Sequence, residues 1–341
     1  MAFAVIWNNG LVSIATAALA FSVSSSLVRP ISPDVSVFEI VMIRSVLSLG
    51  LSLIGRPSAI DGARPPLFGR RENWPLLLLR GTCGALAMNL FYGTLQRLLL
   101  AEALALLFLN PAIVAVLAFA VLDERLTVRQ ICGIIASLAG MLLVVRPPLL
   151  VGQAWTGSRA WGVGFGVLSA FLAAIAYISI RKIGKAESSL TIAVYFHATG
   201  LLTSVVGLLG AIGGATMVIP RFTDVLCMVG IALCSFCAQL LISRGFQLSR
   251  AAPASAVNYL QVILGSVWGF LFFDESIGMV SVLGVILIFG GVLLISSERP
   301  ASGSGRDGGD DEELLLLPTQ SAVRVERAPT LPAKLAAPLT R

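Results

Sequence analysis

Four ionisable side chains interrupt otherwise apolar stretches and are the first candidates for chemistry: Glu39, Arg44, Arg80 and Glu102. Holding a charge at the centre of an apolar medium costs about 3 kcal/mol or more, so such residues usually have a task. Glu39 and Arg44 are five positions apart, about 500° of helical rotation, and so do not stack as a pair. Arg44 or Arg80 suits an anionic group on a small-molecule substrate, and Glu39 suits proton uptake. The alternative is that Glu39 or Glu102 neutralises an arginine and holds helices together. Arg80 follows Trp74-Pro75 by about one turn, so it could also reach up to an interface.

Polar and aromatic residues near the middle of apolar runs form a second set: Asn89, Tyr92, Asn110, Tyr177, Gln239, Asn258, Tyr259, Gln261 and Trp268. Positions 258, 261, 265 and 268 follow the i, i+3, i+7, i+10 rule, so one helix face carries Asn, Gln, Gly and Trp. That face lines a cavity or glues helices together. Pro111 removes a backbone donor inside an apolar run and predicts a kink there. His197, the only histidine, is read as a proton relay or as a buried group bonded to a neighbouring helix.

Several chemistries are excluded. One histidine and no ligand cluster leave no metal site. Cys234-x-x-Cys237 lies in an apolar run, and Gly162, Gly164 and Gly166 follow no strand, so neither reads as a redox or nucleotide motif. No nucleophile–base pair and no cofactor signature appear, and the chain is expected not to be an enzyme. The formal charge of +6 comes from scattered residues, which excludes nucleic acid as a partner.

The elements that must position these residues follow from composition. Of 341 residues, 57% are hydrophobic and 12% charged, and the mean hydropathy is +0.91. A water-facing surface needs about twice that charge, so the chain reads as an all-α polytopic membrane protein whose partner is the lipid bilayer. Ten runs are long enough to span: roughly 8–28, 34–54, 74–95, 101–122, 128–146, 161–181, 190–213, 224–246, 254–273 and 278–297. With the N-terminus in the cytoplasm, the cytoplasmic loops hold eleven Lys or Arg and the opposite loops five, which puts both termini there. Residues 298–341 are Ser-Gly-rich, acidic, then Pro-rich, and predict a disordered tail. Within it, Asp310-Asp311-Glu312-Glu313-Leu314-Leu315 has the form of a sorting signal read by an adaptor, or is a chance leucine run.

Sliding the chain by 151 positions lays residues 92–147 over 243–298 with fourteen identities, including Asp123/Asp274, Glu124/Glu275, Gly133/Gly284 and Gly140/Gly291. The expected domains are two five-helix repeats, 1–150 and 151–297. Five is odd, so the second half enters the membrane inverted, as in many secondary transporters. Gly265-x-x-x-Gly269 suggests packing, and a homodimer is a further candidate partner.

These stretches resemble a known family. Phe38-Glu39-Ile40-Val41-Met42-Ile43-Arg44, Leu79-Arg80-Gly81, Phe91-Tyr92 and the segment from Ala101-Glu102-Ala103 through Phe108-Leu109-Asn110-Pro111 to Asp123-Glu124-Arg125-Leu126 are similar to the drug/metabolite transporter superfamily of the EamA type, in the style of the G branch of solute carrier family 35. The resemblance covers about residues 8–297. It implies a secondary-active carrier of a small polar or anionic metabolite, working by alternating access in the plasma membrane or an endomembrane. Proton coupling, facilitated diffusion and antiport of the nucleotide-sugar kind all stay open, as does a transport-inactive scaffold acting through its tail. Gln261-Val262 stands where the first half has Asn110-Pro111, which sets the two halves apart at the site.

Overall fold

The computed structural model describes residues 2–28, 30–32, 34–54, 68–95, 97–98, 103, 106–145, 157–212, 216–273 and 278–296. The expected disordered tail and Glu102 lie outside the described residues. Among the described residues the longer elements are α-helices, and none is a strand. They are α1 (Ala2–Asn8), α2 (Gly10–Ser26), α3 (Val37–Ile54), α4 (Trp74–Leu95), α5 (Asn110–Leu122), α6 (Val128–Val145), α7 (Gly157–Ile183), α8 (Ser189–Leu209), α9 (Phe222–Leu248), α10 (Ala251–Val257), α11 (Leu260–Phe273) and α12 (Met279–Ser296). Six helical stretches are long and apolar enough to cross a membrane by length and composition, and four shorter apolar helices accompany them.

The distribution of polarity is that of a bundle solvated by hydrocarbon. Val116, Phe119, Phe222, Leu226 and Ile286 point outward, while Glu39, Arg44, Arg80, His197 and Gln239 are buried. Helices suit such a setting because each satisfies its own backbone hydrogen bonds.

Helix pairing follows the repeat. In the first half's terms, α2 packs on α9 and α11, and the matching set is α7 on α4 and α5. The self-matching pairs are α3 with α8 and α6 with α12. A Cβ placed on Gly140 would lie 2.5 Å from the Gly284 carbonyl oxygen, and one on Gly284 would lie 2.5 Å from that of Gly140. Gly133 and Gly291 meet in the same way, at 2.8 Å and 2.5 Å. Contacts 140:284 and 133:291 run in opposite directions along the chain, so α6 and α12 are antiparallel. Because the repeat equates 133 with 284 and 140 with 291, these helices are each other's counterparts. Antiparallel counterparts establish the inverted repeat directly, with a pseudo-twofold axis running between them. The Ser137 hydroxyl donates to the Ile288 carbonyl at 3.4 Å, and 137 and 288 differ by the repeat offset, so this contact sits on the axis.

The ends of the bundle are tied by carboxylates. Glu124 accepts from Arg181 Nε at 2.8 Å and from the Ala251 backbone N–H at 2.8 Å. Glu187 accepts from the Arg70 N–H and Asn73 Nδ2, both at 2.7 Å. Asp224 accepts from the Ser32 N–H at 3.1 Å and from the Arg221 N–H at 3.0 Å.

Candidate functional site

Two of the expected spans are not continuous helices, and both are broken at equivalent positions. In the first half, turns at Phe108 and Leu109 precede α5; in the second, turns at Asn258 and Tyr259 separate α10 from α11. Pro111 sits in the first turn of α5, where a missing N–H costs nothing. No proline lies at 258–262, yet the break recurs, so the proline fits the break without being required for it. The Ala112 N–H bonds to Leu109 O at 3.1 Å, which leaves the Phe108 carbonyl free of the helix ladder. The Tyr259 hydroxyl donates to that carbonyl at 3.0 Å. Residues 108 and 259 are again 151 apart, so this second contact also lies on the axis, with ring centroids 6.0 Å apart. Tyr259→Phe should strand the buried carbonyl and lower stability by about 1–3 kcal/mol. Thermal unfolding in detergent would show this as a fall in Tm, and an unchanged Tm would mean the bond carries no weight.

Beside the breaks is a cavity of about 220 Å³, where the two halves meet. Of the candidates read from the sequence, Arg44, Arg80, Asn110, Tyr177, Gln239, Asn258 and Gln261 line it. Its cationic end is built on α3, α4, α8 and α9. Arg80 donates to Gln239 Oε1 at 2.9 Å, and Arg44 Nη2 approaches Met88 Sδ at 2.8 Å. Both guanidinium groups rest on the Phe196 ring, 4.8 Å from its centroid for Arg80 and 5.8 Å for Arg44. At the other end are the amides of Asn110, Asn258 and Gln261. Oδ1 of Asn110 and Oδ1 of Asn258 are buried without a hydrogen-bond partner. Asn110 and Gln261 are repeat equivalents and both reach the cavity, so the amide pair is symmetric although the residue types differ.

The remaining candidates lie elsewhere. Trp268 donates from Nε1 to Ser22 Oγ at 3.0 Å and packs beside Phe272, facing α2. Of the face expected at 258, 261, 265 and 268, Asn258 and Gln261 reach the cavity, whereas Trp268, two turns further along α11, meets α2 instead. Glu39 sits in the first turn of α3 and accepts from the Val218 N–H at 3.3 Å, tying a loop. Asn89 is half-buried outside the cavity lining, and the Tyr92 side chain lies outside the described residues. His197 is fully buried, its ring edge-on to Phe196 at 5.4 Å, and neither ring nitrogen has a hydrogen-bond partner.

Sequence reasoning missed Phe196, Met88, Phe21 and Phe91, all of which line the cavity. Apolar residues in apolar helices carry no signal of their own. Phe196 could have been singled out only by its place beside His197.

Comparisons with known proteins agree with this architecture. The EamA-like transporter family matches residues 8–146 and 160–297. Human solute carrier family 35 member G1 is 27% identical over 272 residues, covering 78% of this chain and 73% of that protein. The pseudopaline exporter CntI of Pseudomonas aeruginosa is 25% identical over 296 residues, covering 86% of this chain and 97% of that one. A solved crystal structure at 15% identity superposes with a TM-score of 0.70 over 85% of this chain and 99% of its own, a likeness of fold. With two matched segments spanning nearly all of the described helices, the chain belongs to the EamA-like transporter family, and it is an integral multi-pass membrane protein.

Proposed function

We propose that this protein is a secondary-active carrier that moves a small polar or anionic metabolite across the membrane by alternating access. The carrying observation is the cavity itself: it lies where the halves meet and takes Arg44, Arg80 and Asn110 from one and Gln239, Asn258 and Gln261 from the other. Rocking of inverted halves about such a site would expose it to each side in turn. In this reading the chain crosses the bilayer ten times with both termini in the cytoplasm, and a proton or an exchanged solute supplies the coupling.

The test is uptake from a complex mixture. Proteoliposomes holding the full chain are given a metabolite extract, with and without a pH gradient, and their contents are read by mass spectrometry. Accumulation of particular solutes above protein-free vesicles is expected. No accumulation of any solute, in either orientation of the gradient, sinks the carrier reading.

Gln261 supplies a donor and an acceptor to the cavity. Its removal should cost one hydrogen bond to the solute, about 0.5–1.5 kcal/mol to a neutral group and 1.5–3 to a charged one. Gln261→Ala should therefore weaken apparent affinity roughly two- to a hundred-fold while leaving Tm nearly unchanged. Loss of stability in step with loss of uptake would make Gln261 a packing residue.

A further inference from the structure

We propose that the cavity takes a small organic anion, with one carboxylate or phosphate group seated between Arg44 and Arg80 and an uncharged polar end against Asn110, Asn258 and Gln261. The proposal rests on the carrier reading above and names its substrate class.

Arg80 is the starting point. Its side chain is 2% exposed, its one hydrogen bond goes to the neutral Gln239, and its Nε has no partner. Among the described residues no carboxylate lies within salt-bridge distance of it; the ion pair found there is Arg181–Glu124, at one end of the bundle. A buried cation without a counter-charge is costly, and the Phe196 face offsets only part of that cost. Arg44 lines the same cavity and rests on the same ring. An oxyanion beside Arg80 would meet its counter-charge and could accept from both planar forks, a geometry that suits carboxylate and phosphate alike.

The rest of the lining limits what else the solute carries. No Asp or Glu is among the described lining residues, so none of these would supply a counter-charge to a second, cationic group on the solute. The amide end offers donors and acceptors without charge, which fits a hydroxyl, carbonyl or amide. Phe21, Phe91, Phe108 and Tyr177 add flat apolar walls between the ends. At about 220 Å³ the space is below the roughly 300–1,000 Å³ of sites for drug-sized ligands. That favours a solute smaller than a nucleotide conjugate.

Thermal unfolding of the purified full chain against a panel of small solutes tests this. The probes are hydroxy- and keto-substituted carboxylates of three to nine carbons and phosphate monoesters of similar size, each beside its neutral amide or alcohol. One or more of the acids should raise Tm by about 2–3 °C at ten times its Kd, and its neutral partner should not. Carboxylates responding without phosphates, or the reverse, identifies which oxyanion the fork accepts. Arg80→Gln should abolish the shift. Should Arg80→Gln fail to fold, Arg44→Gln must weaken the apparent affinity for the responding acid at least ten-fold. Equal shifts from acids and neutral partners, or no shift from any acid, overturn the proposal. In the vesicle assay, accumulation of neutral or cationic solutes alone would overturn it while leaving the carrier reading intact; no accumulation removes both.

Discussion

Gly140→Val is expected to cost about 3 kcal/mol or more and to lower Tm by about 4–6 °C. A Cβ at this position meets the Gly284 carbonyl oxygen at 2.5 Å and the Ile288 backbone nitrogen at 2.8 Å. Both are backbone atoms of α12 and cannot turn aside as a flexible side chain would, so the two helices must separate. Close approach of backbones through small residues is the main source of helix association in lipid, where no hydrophobic drive acts between helices. The neighbouring Gly290 has open space around its Cβ position, so Gly290→Ala should leave stability unchanged or slightly raised. Melting curves of both variants in one detergent provide the comparison. Equal Tm values would show that the α6–α12 seam does not hold the halves together.

Glu124→Ala is expected to cost about 2–3 kcal/mol. The carboxylate serves two groups at once, Arg181 on α7 and the first N–H of α10. Its removal leaves an orphan donor at a helix start and a guanidinium that keeps only its long contact to the Gln247 carbonyl at 3.4 Å. The Glu124 and Arg181 side chains are 11% and 28% exposed, so water would screen part of the loss. Glu124→Gln keeps an acceptor for one partner and should recover about half of the stability. A further expectation concerns movement: this residue joins the end of α5 to two elements of the second half, so its loss should loosen one end of the bundle. Cysteine labelling beside α10 should quicken in Glu124→Ala. Labelling no faster than in the parent would make the residue a purely static cap.

Much of the fold was legible because lipid leaves few options. Apolar runs of spanning length and the Asp-Glu and Gly pairs at one offset were enough to mark the helices and the inverted repeat. The breaks were half legible. Pro111 advertised the first, but nothing at Asn258–Tyr259 differs from ordinary helix, and that break follows from the fold's need to match its counterpart. Shared helical phase within the span at 254–273 put Trp268 on the wall beside Gln261, whereas two turns along α11 it meets Ser22 instead of the cavity. Buried charge pointed to Arg44, Arg80 and Glu39 alike. Sequence spacing could not separate them, because the cavity gathers Arg44 and Arg80 while Glu39, in the first turn of α3, serves a loop. The role of Phe196 under both arginines depends on helices distant in sequence, so no local pattern could show it.

The contacts on the pseudo-twofold axis have a property the others lack. If the two halves exchange conformations, every contact between residues i and j is replaced by the contact between their counterparts. A pair such as Tyr259–Phe108 or Ser137–Ile288 consists of two counterparts, so the same two residues stay neighbours through such a cycle, although the hydroxyl donors of Tyr259 and Ser137 have no equivalent on Phe108 and Ile288. Glu124–Ala251 has Glu275 and Leu100 as its counterparts by the repeat offset, a different pair, and must be surrendered for its image to form. Under such an exchange the repeat offset would divide contacts into lasting bearings and exchangeable latches. A covalent cross-link between positions 137 and 288 should leave turnover running, and one between 124 and 251 should halt it in one state. Arrest by both would show that the cycle does not follow the repeat.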